Sequence, residues 1–297
     1  MTQYKRINIV VIGKSGQLAW ELAQLSDEAT TIICLGRNQI DISCEQSITN
    51  VLLKHHAHAV INASAYTAVD KAESDKENAY KINALAVENI AKACKGLSLH
   101  LVHISTDFVF NGDKGSPYHT GDPIEPLGVY GASKAQGELA IRNMIPQQSC
   151  IIRTSWVYST HGNNFVKTML KLMAEKNELS IISDQIGSPT YANNLAKACL
   201  LAAKSKICGI HHWTDAGVAS WYDFAIAIQE IAINKGLLSS AIPIKPIRTI
   251  DYPTPAARPS YSVLDKTSCN TDFADLSLIH WRTQLSNMMN QLKKTSI

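Results

Sequence analysis

Short runs of β-branched and other apolar residues recur at 7–12, 30–35, 57–62, 98–104 and 149–153, each separated from the next by a longer stretch with helical periodicity. This alternation leaves few folds open. Strands that are apolar along most of their length are buried on both faces, as in a parallel sheet covered by helices. Helices are expected at about 16–25, 45–55, 76–95 and 129–145. The right-handed crossover between parallel strands then makes the sheet doubly wound, with ligands at the carboxyl ends of its strands.

The first of those strand ends carries Gly13-Lys14-Ser15-Gly16-Gln17-Leu18-Ala19. A glycine pair between the first strand and the first helix lets the backbone approach a pyrophosphate, and the helix start offers free N–H groups to it. The chain is therefore read as α/β, a doubly wound parallel sheet of Rossmann type with a smaller C-terminal substrate domain. At the end of the second strand a ribose-binding carboxylate would mark NAD. Cys34-Leu35-Gly36-Arg37 stands there instead, which favours NADPH through Arg37 and leaves NADH as the alternative. Asp41 and Ile42 are expected to border the adenine. The third strand delivers Asn62-Ala63-Ser64-Ala65-Tyr66-Thr67-Ala68-Val69, whose small side chains let a cofactor approach the backbone.

The reacting groups are expected at the next two connections. Strand four ends in Ser105-Thr106-Asp107, with Thr106 placed to hydrogen-bond a substrate oxygen, and Phe108-Val109-Phe110 reads as an extended continuation. After a long turn-rich loop at 111–128, stiffened by Pro123 and Pro126, comes Tyr130-Gly131-Ala132-Ser133-Lys134. Helical residues four apart share a face. A Lys134 ammonium about 4 Å from the Tyr130 phenol would favour phenolate by about 4 kcal/mol at an effective dielectric near 20. On this reading Tyr130 titrates near working pH and serves as a general acid.

Arg153-Thr154-Ser155-Trp156-Val157-Tyr158 follows the fifth strand and marks the domain boundary. Residues 1–156 are expected to form the dinucleotide-binding domain, joined by strands from about 177–215, and residues 157–297 mainly the substrate-binding domain. Thr190 is expected to cap a helix, 207–213 to form one more strand and 220–236 an amphipathic helix. Arg258, after a proline-dense connection, is a candidate for a substrate phosphate, with a solvated cation as the alternative.

Composition narrows the partners. Lys and Arg total 28 against 25 Asp and Glu, a net +3 too small for nucleic-acid wrapping. The seven cysteines form no Cys-x-x-Cys pair, which fits a reduced, cytoplasmic compartment. Lys5-Arg6 before Ile7 resembles a signal start, but the apolar run ends after six residues in the glycine turn. No run reaches the roughly 20 apolar residues that span a bilayer. His55-His56-x-His58 and His211-His212 lack convincing ligand geometry, so no metal site is expected.

In their order along the chain, the glycine turn, the run from Asn62 to Glu73, Ser105-Thr106-Asp107-Phe108-Val109-Phe110, Tyr130 to Lys134, Arg153 to Tyr158, Asp184-Gln185 with Gly187 and Pro189-Thr190, and Arg258-Pro259 resemble the extended short-chain dehydrogenase/reductase superfamily. Within it they resemble the branch that reduces the C4 ketone of dTDP-4-dehydro-β-L-rhamnose to dTDP-L-rhamnose. The resemblance implies Tyr130 as general acid, Lys134 as the residue that lowers its pKa and binds the nicotinamide ribose, and Thr106 as the substrate-orienting hydroxyl. It implies cofactor contacts at Gly13, Lys14, Gly16, Gln17, Leu18, Arg37, Asp41, Ile42, Ala63, Ala65 and Tyr66. Substrate contacts are implied at Thr67, Val69, Asp107, Trp156 and Arg258. Two positions depart from the pattern: Ala19 replaces a common Gly, and Phe108 a frequent Tyr. Some relatives dimerise around Mg²⁺, which no carboxylate cluster here requires, and the chain is expected as monomer or homodimer. Another nucleotide-sugar reductase, epimerase or dehydratase, or a non-catalytic regulatory subunit, stays open as an alternative.

Overall fold

The computed structural model describes residues 6–295; Lys5 of the basic pair noted above lies outside them. Six parallel strands form one sheet: β1 Ile7–Ile12, β2 Thr30–Leu35, β3 Ala59–Asn62, β4 His100–Thr106, β5 Ser149–Thr154 and β6 Gly209–His212. Their order is β6-β5-β4-β3-β1-β2. The reversal on either side of β1 and β3 opens the crevice where a doubly wound sheet binds ligands. Of the stretch 177–215, Gly209–His212 reaches this sheet, whereas Leu179–Ile182 pairs in parallel with Ile244–Ile247.

Strand periodicity divides the core. In β1, Ile9 and Val11 point to one face, where they meet Leu18 and Leu22 of α1 (Gln17–Ala23). Val10 and Ile12 point to the other, against Ile48 and Leu52 of α2 (Glu45–Lys54). The second face is completed by α3, which runs through Lys76–Tyr80, Lys81–Leu85 and Ala86–Gly96, and by α4 (Val129–Met144). Each fully buried Ile, Val or Leu contributes roughly 1.5–3 kcal/mol. The middle piece of α3 is a π-helical turn rather than the regular helix expected. Such wide turns re-aim side chains, and here the turn carries Asn83.

The C-terminal part contributes α5 (Phe165–Glu175), α6 (Ala192–Ser205), α7 (Trp221–Asn234) and α8 (Trp281–Thr295). Leu195, Ala198 and Ala202 of α6 pack under the large sheet. A separate apolar cluster joins Val166, Met169 and Met173 of α5 to Phe224 and Ile228 of α7 and to Leu285 and Met288 of α8. Sequence-level caps fix two of these helices. Asn164 accepts from the Lys167 amide at 3.1 Å to start α5, and Ser220 with Asp223 forms a reciprocal capping box at α7. Thr190 does not cap α6: it pairs with Val157 in a short parallel ladder, Tyr191 takes the cap position, and its amide donates to buried Asp215 at 2.9 Å.

Among the described residues, no helix is long and apolar enough to cross a membrane. All seven cysteines are free.

Candidate active site

A cavity of about 560 Å³ opens over the carboxyl ends of the strands. Its lining joins residues from the first turn (Ser15, Gly16, Gln17, Leu18), from after β3 (Ala63, Ser64, Ala65, Thr67, Val69), from the end of β4 (Thr106, Asp107), from α4 (Tyr130, Lys134) and from beyond β5 (Trp156), with Arg258 at its edge. Segments scattered over more than two hundred positions thus meet where the sheet topology places a ligand.

The floor of the first turn is backbone against backbone. Gly13 has φ +127°, and a Cβ there would meet the Ala63 carbonyl carbon and oxygen at 3.2 Å, so glycine satisfies both conformation and space. Gly13 and Lys14 shape this turn from behind rather than lining the cavity. The Lys14 side chain lies along Gly36, and Lys14 and Arg37 are both exposed, which gathers two cations at the end of β2. Asp41 and Ile42 stand outside the cavity lining. Asp41 accepts from the Ser43 amide and hydroxyl at 2.9 and 2.6 Å, bonds that lower its pKa. Gln17 spans the cleft: its amide donates to Val157 O at 3.3 Å and its oxygen accepts from Asn164 at 2.9 Å.

Two residues to which the sequence reading gave no role, Asn83 and Glu73, hold the β3 segment and the helix start beside it. Asn83, on the π turn, accepts from the Tyr66 amide at 2.9 Å and donates to Tyr66 O at 3.1 Å and to Ser133 Oγ at 3.0 Å. Tyr66 is turned away from the cavity, its hydroxyl on Asp75 at 3.0 Å. Glu73 accepts from the Val129 amide at 2.8 Å, placing a carboxylate at the positive end of the helix that carries Tyr130. The signal for both was a polar residue inside an otherwise helical or small-residue run.

At the end of β4 the expected extended continuation is absent. Asp107–Val109 forms a 3₁₀ turn, and Thr106 caps it by accepting from the Phe108 amide at 3.2 Å while donating to Asp107 Oδ1 at 3.0 Å. Burial pushes the Asp107 carboxyl up to about 6, against the pull of the Ser262 and Thr106 hydroxyls. The turn brings Phe108 edge-on to Tyr130, with ring centroids 5.6 Å apart.

Tyr130 and Lys134 share the cavity but not the electrostatics expected of them. Burial pushes the Tyr130 phenol up to about 12, with Thr106 opposing and the Asp107 charge adding to the rise. Lys134, 2% exposed, turns its Nζ to β4, donating to Ile104 O at 2.6 Å and standing 3.4 Å from His103 Nε2. Burial pulls it down to about 8, with Glu138 opposing. Glu138 itself takes a bidentate bond from Arg153, at 2.9 and 2.7 Å, within a pair that is almost wholly buried.

On the far wall Trp156 adopts φ +48° and stacks on Trp221 at 3.6 Å and 9°. Trp221, which also lines the cavity, had no motif to announce it. Arg258 lines the cavity with its side chain one-quarter exposed, and one of its guanidinium nitrogens pairs with Asp70 at 2.8 Å, closing the proline-dense segment over the β3 side. Among the described residues no group of three or more His, Cys, Asp or Glu side chains is arranged to hold a metal.

A parallel doubly wound sheet with a glycine turn, a Thr-bearing strand end and a Tyr-x-x-x-Lys helix around one cavity defines an oxidoreductase of the short-chain dehydrogenase/reductase type. Sequence comparison then gives the family. The chain belongs to the family described as RmlD substrate binding domain, matched over residues 7–294. A protein of Aggregatibacter actinomycetemcomitans named dTDP-4-dehydrorhamnose reductase is 37% identical to it, covering 94% of this chain and 97% of that one. The crystal structure of a dTDP-4-dehydrorhamnose reductase from Clostridium acetobutylicum superposes with a TM-score of 0.90 at 34% identity, over 97% of this chain and 100% of that one. A Bacillus anthracis enzyme of the same name, solved in complex with NADP, gives a TM-score of 0.89 at 32% identity, over 96% and 99% of the two chains.

Proposed function

We propose that this protein reduces the C4 ketone of dTDP-4-dehydro-β-L-rhamnose to dTDP-L-rhamnose with NADPH, as a cytoplasmic step in the supply of dTDP-rhamnose. The carrying observation is that Tyr130, Lys134 and Thr106 meet at one cavity with the glycine turn, in a chain similar over nearly its whole length to reductases of that name.

The cradle fits a dinucleotide. The Gly13 approach to Ala63, the side chains at Ala63 and Ala65, and the uncapped start of α1 at Gly16 leave room and free amides for a pyrophosphate. Gln17 and Leu18 border it, and Lys14 with Arg37 supplies charge for a 2′-phosphate. When bound, NADPH supplies the hydride for the ketone carbon. Tyr130 donates its phenolic proton to the oxygen that gains charge, and Thr106 holds that oxygen by hydrogen bond. Lys134 serves the nicotinamide ribose and, protonated, eases loss of the Tyr130 proton. Thr67, Val69, Asp107 and Trp156 border the sugar nucleotide, whose binding orients the ketone. Arg258 acts through Asp70, holding residues 256–259 against Val69–Ala72 at the edge of the sugar side. Residues 157–297, apart from the α6 and β6 pieces that join the sheet, make up the substrate-binding part.

Incubation of the purified protein with dTDP-4-dehydro-β-L-rhamnose and NADPH is expected to consume NADPH and yield dTDP-L-rhamnose, identified by NMR of the sugar. No NADPH consumption, or a product epimeric at C4, would overturn the assignment. Arg37→Ala is expected to raise KM for NADPH about tenfold, the loss of one charged contact of about 1.4 kcal/mol, and to leave KM for NADH unchanged. Equal effects on both cofactors would remove Arg37 from the 2′-phosphate site.

A further inference from the structure

The surroundings of Lys134 contain a fixed sequence of donors and acceptors. Asn62 Oδ1 accepts from the Ser64 amide at 3.1 Å and from Ser64 Oγ at 2.6 Å, and a flip would set its NH2 group against the Ser64 N–H, two donors facing each other. Its Nδ2 therefore faces His103 Nδ1, 3.1 Å away. A donor at that position makes Nδ1 the acceptor and puts the imidazole proton on Nε2. Nε2 in turn stands 3.4 Å from Lys134 Nζ. An ammonium has three donors and no lone pair, whereas an amine can accept from Nε2–H and still donate to Ile104 O.

We propose that His103 is a positioning residue: anchored by Asn62, it docks Lys134 against β4 as a neutral amine, so that cofactor binding draws a proton from solvent onto Lys134. This rests on the reading above that Lys134 meets the nicotinamide ribose. The balance is simple. One proton passes from buffer to the amine on binding and returns when the cofactor leaves, with no change of oxidation state.

The rest of the environment agrees. His103 is fully buried, and burial with the neighbouring Lys134 holds it well below the usual imidazole value, so it does not compete for the proton. Burial brings Lys134 to about 8, within reach of such a switch. The groups facing Lys134 are few among the described residues. On α4 there is Glu138, which favours the ammonium but is itself bound by Arg153 from β5. From β4 come His103 and the Ile104 carbonyl, and from β3 comes Asn62 behind His103. At the strand end, Asp107 and Thr106 act on Tyr130.

The test is calorimetric titration of the protein with NADPH in two buffers of different ionisation enthalpy. The wild type is expected to take up roughly half a proton at pH 8, since Lys134 sits near 8 before binding, and little at pH 6.5. NADH titrated in parallel removes the 2′-phosphate as a source. Lys134→Met is expected to abolish the uptake. His103→Gln offers an amide oxygen to an ammonium, and Asn62→Asp accepts from Nδ1–H and frees the Nε2 lone pair. Each is expected to cut the uptake at least twofold, and if one of them fails to fold the other decides. NADPH binding without proton uptake in the wild type, or undiminished uptake in the folded variants, would overturn the inference. Failure of the wild type to bind NADPH would instead overturn the cofactor assignment on which it rests.

Discussion

Tyr130→Phe is expected to lower kcat at least about 100-fold, the usual contribution of a positioned general acid, with little change in KM for NADPH or in thermal stability. The ring keeps its edge contact with Phe108, so only the proton donor is lost. Because burial holds the phenol protonated up to about 12, the donor stays loaded through the neutral range in the wild type. The sign for Lys134 is opposite. Its ammonium is lost as pH rises through about 8, so kcat/KM for NADPH is expected to fall above pH 8 while Tyr130 is still protonated. An unchanged kcat in Tyr130→Phe would remove it from the chemistry.

The second large effect is on stability. Arg153→Met is expected to cost about 3–5 kcal/mol, read from urea denaturation, because it strands the fully buried Glu138 carboxylate without its partner. The guanidinium is bound on three sides: to Glu138, to Thr120 O at 3.2 Å, and over the Phe110 ring at 5.1 Å. It therefore ties β5, α4 and the 111–128 loop together beneath the cavity. Removing both charges is far milder than removing one, so the double variant Arg153→Met/Glu138→Leu is expected to recover most of the loss. A single variant within 1 kcal/mol of the wild type would show that the pair is not what joins these elements.

What could be read from the sequence follows from the range of each physical cue. Strand alternation and the glycine turn are local, and they placed β1 and β2 at their observed bounds and the cavity at the strand ends. Tyr130 and Lys134 were legible as a helical pair because spacing alone puts them on one face. Their electrostatics were not, since the partner that turns Lys134 away lies on β4, and its tautomer is set from β3 by Asn62. The pairing of Arg258 with Asp70 was not legible, because Asp70 is 188 positions away along the chain. Arg153 looked like part of a boundary motif, since nothing local shows that Glu138 will bury beside it. The 3₁₀ turn after Thr106 spans three residues, too few to set up a periodicity.

The helix that presents Tyr130 is seated by absence. A Cβ at Gly131 would lie 2.1 Å from Phe108 O, and one at Gly137 would lie 2.2 Å from Asn83 O. Lys134 falls midway between these two positions on the same buried face. Neither can gain even a methyl group unless α4 lifts off its neighbours, taking the phenol and the amine with it. The reachable sequence space around the site is therefore lopsided. Gln136 and Leu139, exposed on the outer face, are free to drift, and a lineage adapting to a new sugar has to vary the loops and the Trp156 wall while this helix stays as it is.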